Sequence, residues 1–141
     1  MVLVDTSSWI HFLRPDGDAA VRARVGAALQ AGSARWCSLI RLELWNGAGG
    51  DREKKILRQF EKRVPELAIT SEVWSEAYEL ARRCRAAGVT VPATGVLIDA
   101  CARQHAVALE HADSDFDHIA RVAPRETERE DAEGAQGEDE R

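Results

Sequence analysis

Acidic residues recur through this chain at places where chemistry could use them: Asp5 directly after the apolar run Val2-Leu3-Val4, Glu43 within LIRLELWNGA, Asp99 within GVLIDACARQHA, and Asp113, Asp115 and Asp117 in HADSDFDHI. Singly, each has an ordinary explanation. Asp5 could cap a helix opening at Thr6, and the last group could be a solvated turn. Asp5 stands out because an acid abutting a buried strand is costly unless something uses it. Brought together, the acids pose an electrostatic problem. At about 5 Å and an effective dielectric of about 20, each like-charged pair repels by roughly 3 kcal/mol. Such a cluster either takes up protons or holds a cation. An all-oxygen donor set suits a hard ion, so Mg2+ is the expected occupant, with Mn2+ as a substitute. The chemistry this implies is metal-assisted phosphodiester hydrolysis.

The elements that must position these acids follow from periodicity and punctuation. Residues 1–4 read as a buried strand feeding a helix over TSSWIHFLR, with Asp5 at the strand's carboxyl end. Residues 18–31 have helical spacing behind Asp18 and stop at Gly32; ARWC at 34–37 reads as a strand, and Ser38 can cap the helix holding Glu43. A charged helix over 51–63 ends near Pro65, ELAI at 66–69 reads as a brief strand, and Thr70 or Ser71 opens a long amphipathic helix running to Gly88. Thr94 can cap the next helix, VALEH at 107–111 returns as a strand, and DFDHIARV closes with a helix. Short apolar strands alternating with longer helices predict an α/β fold with a parallel sheet covered on both faces. In such sheets the crevice lies beyond the strands' carboxyl ends. Asp5 and the 113–117 series map to that edge, and Glu43 and Asp99 lie on helices able to lean over it.

These residues resemble a known family. Asp5-Thr6-Ser7-Ser8-Trp9-Ile10 is similar to the opening of the VapC-type PIN-domain toxins, and Glu43 in LELWNG resembles their second acid. GVTVPATGVLIDACA resembles the segment carrying their third acid, and HADSDFDHI their closing D-x-D-F pattern. The resemblance runs over residues 1 to 122 in the family's order. It implies a PIN-like three-layer α/β/α sandwich with a short parallel sheet, and a Mg2+-dependent endoribonuclease toxin of a toxin–antitoxin pair. It also implies a transfer- or ribosomal-RNA substrate, a homodimer, and a VapB-type antitoxin as partner. Asp5, Glu43, Asp99 and Asp113 would be catalytic; Asp5, Asp99, Asp113 and Asp115 would hold metal; Thr6 or Ser7 would orient Asp5 or a ligand water. One departure is visible. The family's third-acid slot falls on Gly95, and Asp99 follows one helical turn later, about 5.4 Å along the axis. Asp99 can serve from the same helical face, the site can run on Asp5, Glu43 and the Asp113 group, or the enzyme is weakened. The first reading is preferred, because Asp99 among Leu97, Ile98, Ala100 and Cys101 is otherwise an unexplained acid in an apolar segment. A PIN domain that binds RNA or a partner without cutting is the alternative function.

Composition bounds the rest. With 141 residues the chain has one domain's worth of length. The net charge of −5 is carried by residues 125–141, where eight acids meet three basic residues; residues 1–124 balance at sixteen against sixteen. The division expected is a domain over 1–124 and an acidic, disordered tail over 125–141. Setting the five proposed site acids aside leaves an excess of basic charge in 1–124, which suits a polyanion. Arginine outnumbers lysine sixteen to three, and its planar fork grips phosphate at two points. Arg14, Arg82, Arg83 and Arg85 are the candidate substrate-binding residues, although a solvated helix face explains each singly. Trp9, Trp36, Trp45 and Trp74 sit in apolar periodic segments and read as core or a dimer face. Cys37, Cys84 and Cys101 lack metal or dithiol spacing and read as buried thiols in a reducing cytoplasm. No apolar run approaches the roughly 20 residues that span a bilayer. A phosphoacceptor receiver, which shares an acidic pocket on a doubly wound sheet, needs a lysine late in the chain, and Lys54, Lys55 and Lys62 all lie in one charged helix.

Overall fold

A computed structural model describes residues 1–125 of the chain. The apolar triplet Val2–Val4 forms β1, the central strand of a three-stranded parallel sheet. Its neighbours are β2 (Ala34–Arg35), in register Val2 to Ala34, and β3 (Ala108–Glu110), in register Val2 to Ala108. Leu3 and Val4 are completely buried, as a strand flanked on both edges and covered on both faces requires. The expected strand at 66–69 contracts to a single bridge. Leu67 donates to the Trp36 carbonyl and Trp36 to that of Pro65, after which the chain turns toward the Thr70 cap.

Seven helices wrap this sheet among the described residues: α1 (Thr6–Leu13), α2 (Ala19–Gln30), α3 (Ser38–Gly47), α4 (Asp51–Arg63), α5 (Ser71–Ala86), α6 (Ala93–Gln104) and α7 (Ser114–Val122). They fall into two groups, joined where α3 meets α6. α1 packs on α2 and α3, with α4 against α3, while α5, α6 and α7 pack on one another. The result is the α/β sandwich anticipated from the alternation of elements.

Local chemistry sets the boundaries. Asp18 accepts from the Val21 amide and Thr70 from that of Val73, each satisfying a helix N-terminal donor. Gly88, at φ +73°, ends α5 in the left-handed conformation that glycine adopts at least cost. Two starts differ from expectation. Cys37 rather than Ser38 precedes α3, and Pro92 rather than Thr94 precedes α6, where a residue locked near φ −62° leads into the first turn.

Two parts of the core matter for the site. Trp9, Phe12, Trp36 and Phe60 form one aromatic cluster, with Trp9 and Phe60 centroids 4.9 Å apart, and it seats α1 against β2 and α4. Trp9 and Trp36 are thus core residues, whereas Trp74 is exposed beside Tyr78 on α5. In α6 every residue from Val96 to Ala102 is buried, Asp99 included. Arg125, the first residue assigned to the expected tail over 125–141, is buried in the folded body. The rest of that expected tail, 126–141, lies outside the described residues.

Candidate active site

The chain leaves β1 at Val4 and enters α1 at Thr6, so Asp5 sits at the strand–helix junction as the helix N-cap. It is 4% exposed. Its Oδ2 accepts the Ser7 amide at 3.0 Å and the Ser7 hydroxyl at 2.5 Å. The capping role considered for Asp5 is therefore real, and it fixes one oxygen of the carboxylate. Burial pushes the Asp5 carboxyl above the usual aspartate range against the pull of the Ser7 and Thr6 hydrogen bonds, and repulsion from Asp113 adds to it.

Glu43, half-buried on α3, stands on the other side of the same junction. Thr6 Oγ1 donates to its Oε1 at 2.9 Å across 37 residues of sequence. Its carboxyl is likewise raised, first by burial and then by the neighbouring Asp5 charge, with the Thr6 bond opposing. The two hydroxyls thus divide the work: Ser7 holds Asp5 and Thr6 holds Glu43.

Asp113 arrives from the loop after β3. It caps α7 by accepting the Asp115 amide at 2.9 Å, and Asp115 follows half-buried in the first turn. The Ser7 hydroxyl, besides donating to Asp5, accepts the Ala112 amide at 3.0 Å. One side chain thereby ties the Asp5 junction to the loop presenting Asp113. Asp5, Glu43 and Asp113 converge, and each of the two most buried feels the charge of another acid.

Asp99 has a different environment. It is fully buried, Arg103 Nε donates to its Oδ1 at 2.6 Å, and an Arg125 Nη donates to its Oδ2, also at 2.6 Å. Both oxygens are engaged by guanidinium groups, so the acid that looked unexplained in an apolar helix is compensated without a metal. Gly95, one turn earlier, is only half-buried, and a Cβ built there meets nothing within 4 Å. Sequence reasoning passed over Arg103 and Arg125. The first carried a signal, since Asp and Arg four apart on a helix are neighbours.

Among the candidate substrate-binding arginines, Arg14 lines a cavity of about 140 Å3 with Glu43, Ile10, Leu13 and Leu44. The other three lie on the last turns of α5. Arg82 pairs with Glu79, Arg83 reaches the Val122 carbonyl, and Arg85 borders a separate groove with Val89 and Val96. Of the histidines, His111 packs its ring on Phe116 and accepts the Asp113 amide at 3.4 Å, which braces the loop.

The donor set at the junction consists of carboxylate oxygens, the type a hard divalent cation prefers. Among the described residues no three acids, histidines or cysteines already stand at ligand spacing. The fit rests instead on two carboxyls, Asp5 buried and Glu43 half-buried, each raised by desolvation and by a neighbouring acid, a burden that a cation relieves.

A short parallel sheet with β1 at its centre, acids at the carboxyl ends of β1 and β3, and a third acid from the helix after β2 define a PIN domain, whose family model matches residues 2–122. The chain belongs to the VapC family of PIN-domain proteins. It is 34% identical over 125 residues to VapC ribonuclease Mb1587 of Mycobacterium bovis and to ribonuclease VapC11 of Mycobacterium tuberculosis, covering 86% of this chain and 93% of each relative. Solved structures share the fold at lower identity. VapBC from Salmonella typhimurium bound to DNA matches with a TM-score of 0.69 at 16% identity, over 88% of this chain and 93% of that one. FitAcB from Neisseria gonorrhoeae matches at 0.65 and 19%, over 84% and 93%.

Proposed function

We propose that the protein is a Mg2+-dependent endoribonuclease toxin of a VapBC-type toxin–antitoxin system, acting in the cytoplasm on structured RNA such as transfer or ribosomal RNA. The observation that carries this reading is the convergence of Asp5, Glu43 and Asp113 at one junction, with Thr6 and Ser7 holding two of them by hydroxyl hydrogen bonds. Asp5 and Asp113 would hold the ion, with Glu43 beside them and Asp115 in the first turn of α7. Mn2+ would serve in its place. A bound divalent ion supplies positive charge for the phosphate and acidifies a water that attacks phosphorus. The protein's own part is positional. Ser7 fixes Asp5 Oδ2, which leaves Oδ1 for the ion; Thr6 fixes Glu43 Oε1, which leaves Oε2 for a ligand or the attacking water. Arg14, beside Glu43 in the same cavity, would receive a flanking phosphate. Arg82, Arg83 and Arg85 would extend that basic rim over α5.

The relatives named as VapC ribonucleases support cutting of RNA, and the solved VapBC assemblies of the same fold support a VapB-type antitoxin as partner. The exposed aromatic pair Trp74 and Tyr78 on α5, with ring centroids 6.3 Å apart, supports a homodimer through that helix. No helix among the described residues is long and apolar enough to cross a membrane.

The test is cleavage of defined RNAs by purified protein with Mg2+, run beside Asp5→Asn prepared identically. Cleavage by the native chain and none by the variant supports the reading; equal cleavage by both assigns the activity elsewhere. A second reading, a weakened PIN domain that binds RNA or a partner without cutting, is favoured by Gly95 in the third-acid slot and by the two arginines on Asp99. RNA binding without cleavage in the native chain would select it.

A further inference from the structure

The Asp99 ion cluster lies where the chain after α7 meets α6. Besides its contact with Asp99, Arg103 donates through Nη2 to the Ala123 carbonyl at 2.5 Å, while Arg83 of α5 donates to the Val122 carbonyl at 3.4 Å. Arg125 closes the arrangement on the second Asp99 oxygen. The C-terminal end of α7 is therefore held to α5 and α6 by side chains. Its N-terminal end is held to the Asp5 junction by Ser7 through Ala112. Only nine residues separate these two attachments, and the first turn between them carries Asp115 behind its cap, Asp113.

We propose that Asp99 is a positioning residue: by seating Arg103 and Arg125 it locks the chain after α7 onto α6, and so fixes the helix whose first turn presents Asp113 and Asp115. This rests on the reading of Asp113 as part of the metal site. Asp99 is a carboxylate with no exposed surface that both arginines share through charge-assisted hydrogen bonds, and each arginine side chain is itself about 10% exposed. Removing Asp99 alone takes the shared carboxylate away from two largely buried guanidinium groups, which loosens the 123–125 segment from α6. α7 is short and packs on α5 and α6, so a loss at its C-terminal end reaches its first turn.

The test separates a lock from a ligand. Mn2+ affinity is measured by electron paramagnetic resonance of the free ion, and Tm by circular dichroism, for the native chain, Asp99→Asn, Arg125→Gln and the triple variant Asp99→Leu/Arg103→Met/Arg125→Met. As a lock, Asp99→Asn and Arg125→Gln each lower Tm by roughly 10 °C and weaken Mn2+ binding by about 10- to 100-fold. The triple variant recovers both, because apolar side chains of similar volume can pack where the ions stood. As a ligand, Asp99 would make the triple variant as poor a binder as Asp99→Asn and leave Arg125→Gln at native affinity, a result that overturns the proposal. A fall in Tm with Mn2+ affinity unchanged throughout also overturns it, since the cluster would then serve stability alone. Asp113→Asn is the control. Unaltered Mn2+ binding there refutes the metal-site reading itself, and the proposal with it, independently of the Asp99 arms.

Discussion

Thr6 and Glu43, 37 residues apart in sequence, meet through a 2.9 Å hydrogen bond from hydroxyl to carboxylate, which joins the first residue of α1 to the middle of α3. The bond spends one oxygen of Glu43 and leaves the other directed by the same contact. Ser7 does the same for Asp5 and adds a bond from the Ala112 amide. Two neighbouring hydroxyls at one helix start therefore set the geometry of three acids drawn from three parts of the chain.

Removing either hydroxyl should loosen the site without dismantling the fold. Thr6→Val keeps the shape and deletes the donor, and Ser7→Ala removes the hydroxyl's bonds to Asp5 and from the Ala112 amide together, leaving Asp5 the backbone amide at position 7. Groups that orient metal ligands are typically worth about 10- to 100-fold in affinity or activity. Ser7→Ala is expected to lie at the upper end because it severs two connections. Titration of activity against Mg2+ checks this: the midpoint should move to higher concentration while the circular dichroism spectrum stays native. Native Mg2+ dependence in Ser7→Ala would show that Asp5 needs no such bond.

The raised carboxyls of Asp5 and Glu43 give a pH dependence with a definite sign. Each folded-state value lies above the unfolded one, so the folded protein binds protons in the interval between them, and stability without metal falls as pH rises through the folded values. A divalent cation competes with those protons. The Tm gain from added Mg2+ should therefore be small at about pH 4.5 and grow toward about pH 7, as a series of thermal melts with and without Mg2+ would reveal. Asp5→Asn should melt higher than the native chain at neutral pH without metal, since it deletes a buried charge that the Ser7 and Thr6 hydrogen bonds compensate only in part. A Mg2+ effect independent of pH would mean that these carboxyls do not bind it.

How much of this was readable beforehand depended on distance along the chain. Asp18, Thr70 and the β1–Asp5–α1 junction were legible because a cap and its helix are adjacent and the apolar period is local. The 66–69 strand was overread. ELAI has strand composition, but the sheet offers it a single pairing at Trp36 before the chain must turn. Asp5, Glu43 and Asp113 were legible as candidates from type and position, and the family resemblance offered Thr6 or Ser7 for Asp5; that Thr6 turns to Glu43 was not legible, since that depends on the side α3 presents to α1. Asp99 was the instructive case. Its burial followed from its apolar neighbours, but its partner Arg125 stands 26 residues away in a segment whose composition reads as an acidic tail. Composition averages over neighbours and hides one residue drawn into the core.

The aromatic cluster beneath α1 should be the fold's most sensitive point. Trp9 has no exposed surface, stacks on Phe60 at 4.9 Å, and contacts Trp36 and Phe12. Trp9→Ala should cost roughly 3–5 kcal/mol from lost burial and the cavity left behind, a large part of the stability of a domain this size. Urea denaturation followed by circular dichroism measures it. A loss under about 1 kcal/mol would mean that the cluster repacks freely.

Gly95→Asp tests whether the site is complete as it stands. Gly95 lies on the first turn of α6, and a Cβ there meets nothing within 4 Å, so an aspartate is admitted without displacing a neighbour. The first turn also favours it electrostatically, because the unpaired amides of a helix N-terminus stabilise a nearby negative charge. If the native enzyme runs on Asp5, Glu43 and the Asp113 group alone, a further carboxylate at this slot should tighten Mg2+ binding and raise RNA cleavage by about tenfold or more, as groups able to ligate or orient a metal commonly do. Comparing kcat and Mg2+ midpoints for the native chain, Gly95→Asp and Gly95→Asn separates the effect of charge from that of the side chain's bulk. Equal activity in all three would place position 95 outside the reach of the ion and leave the native acids sufficient by themselves.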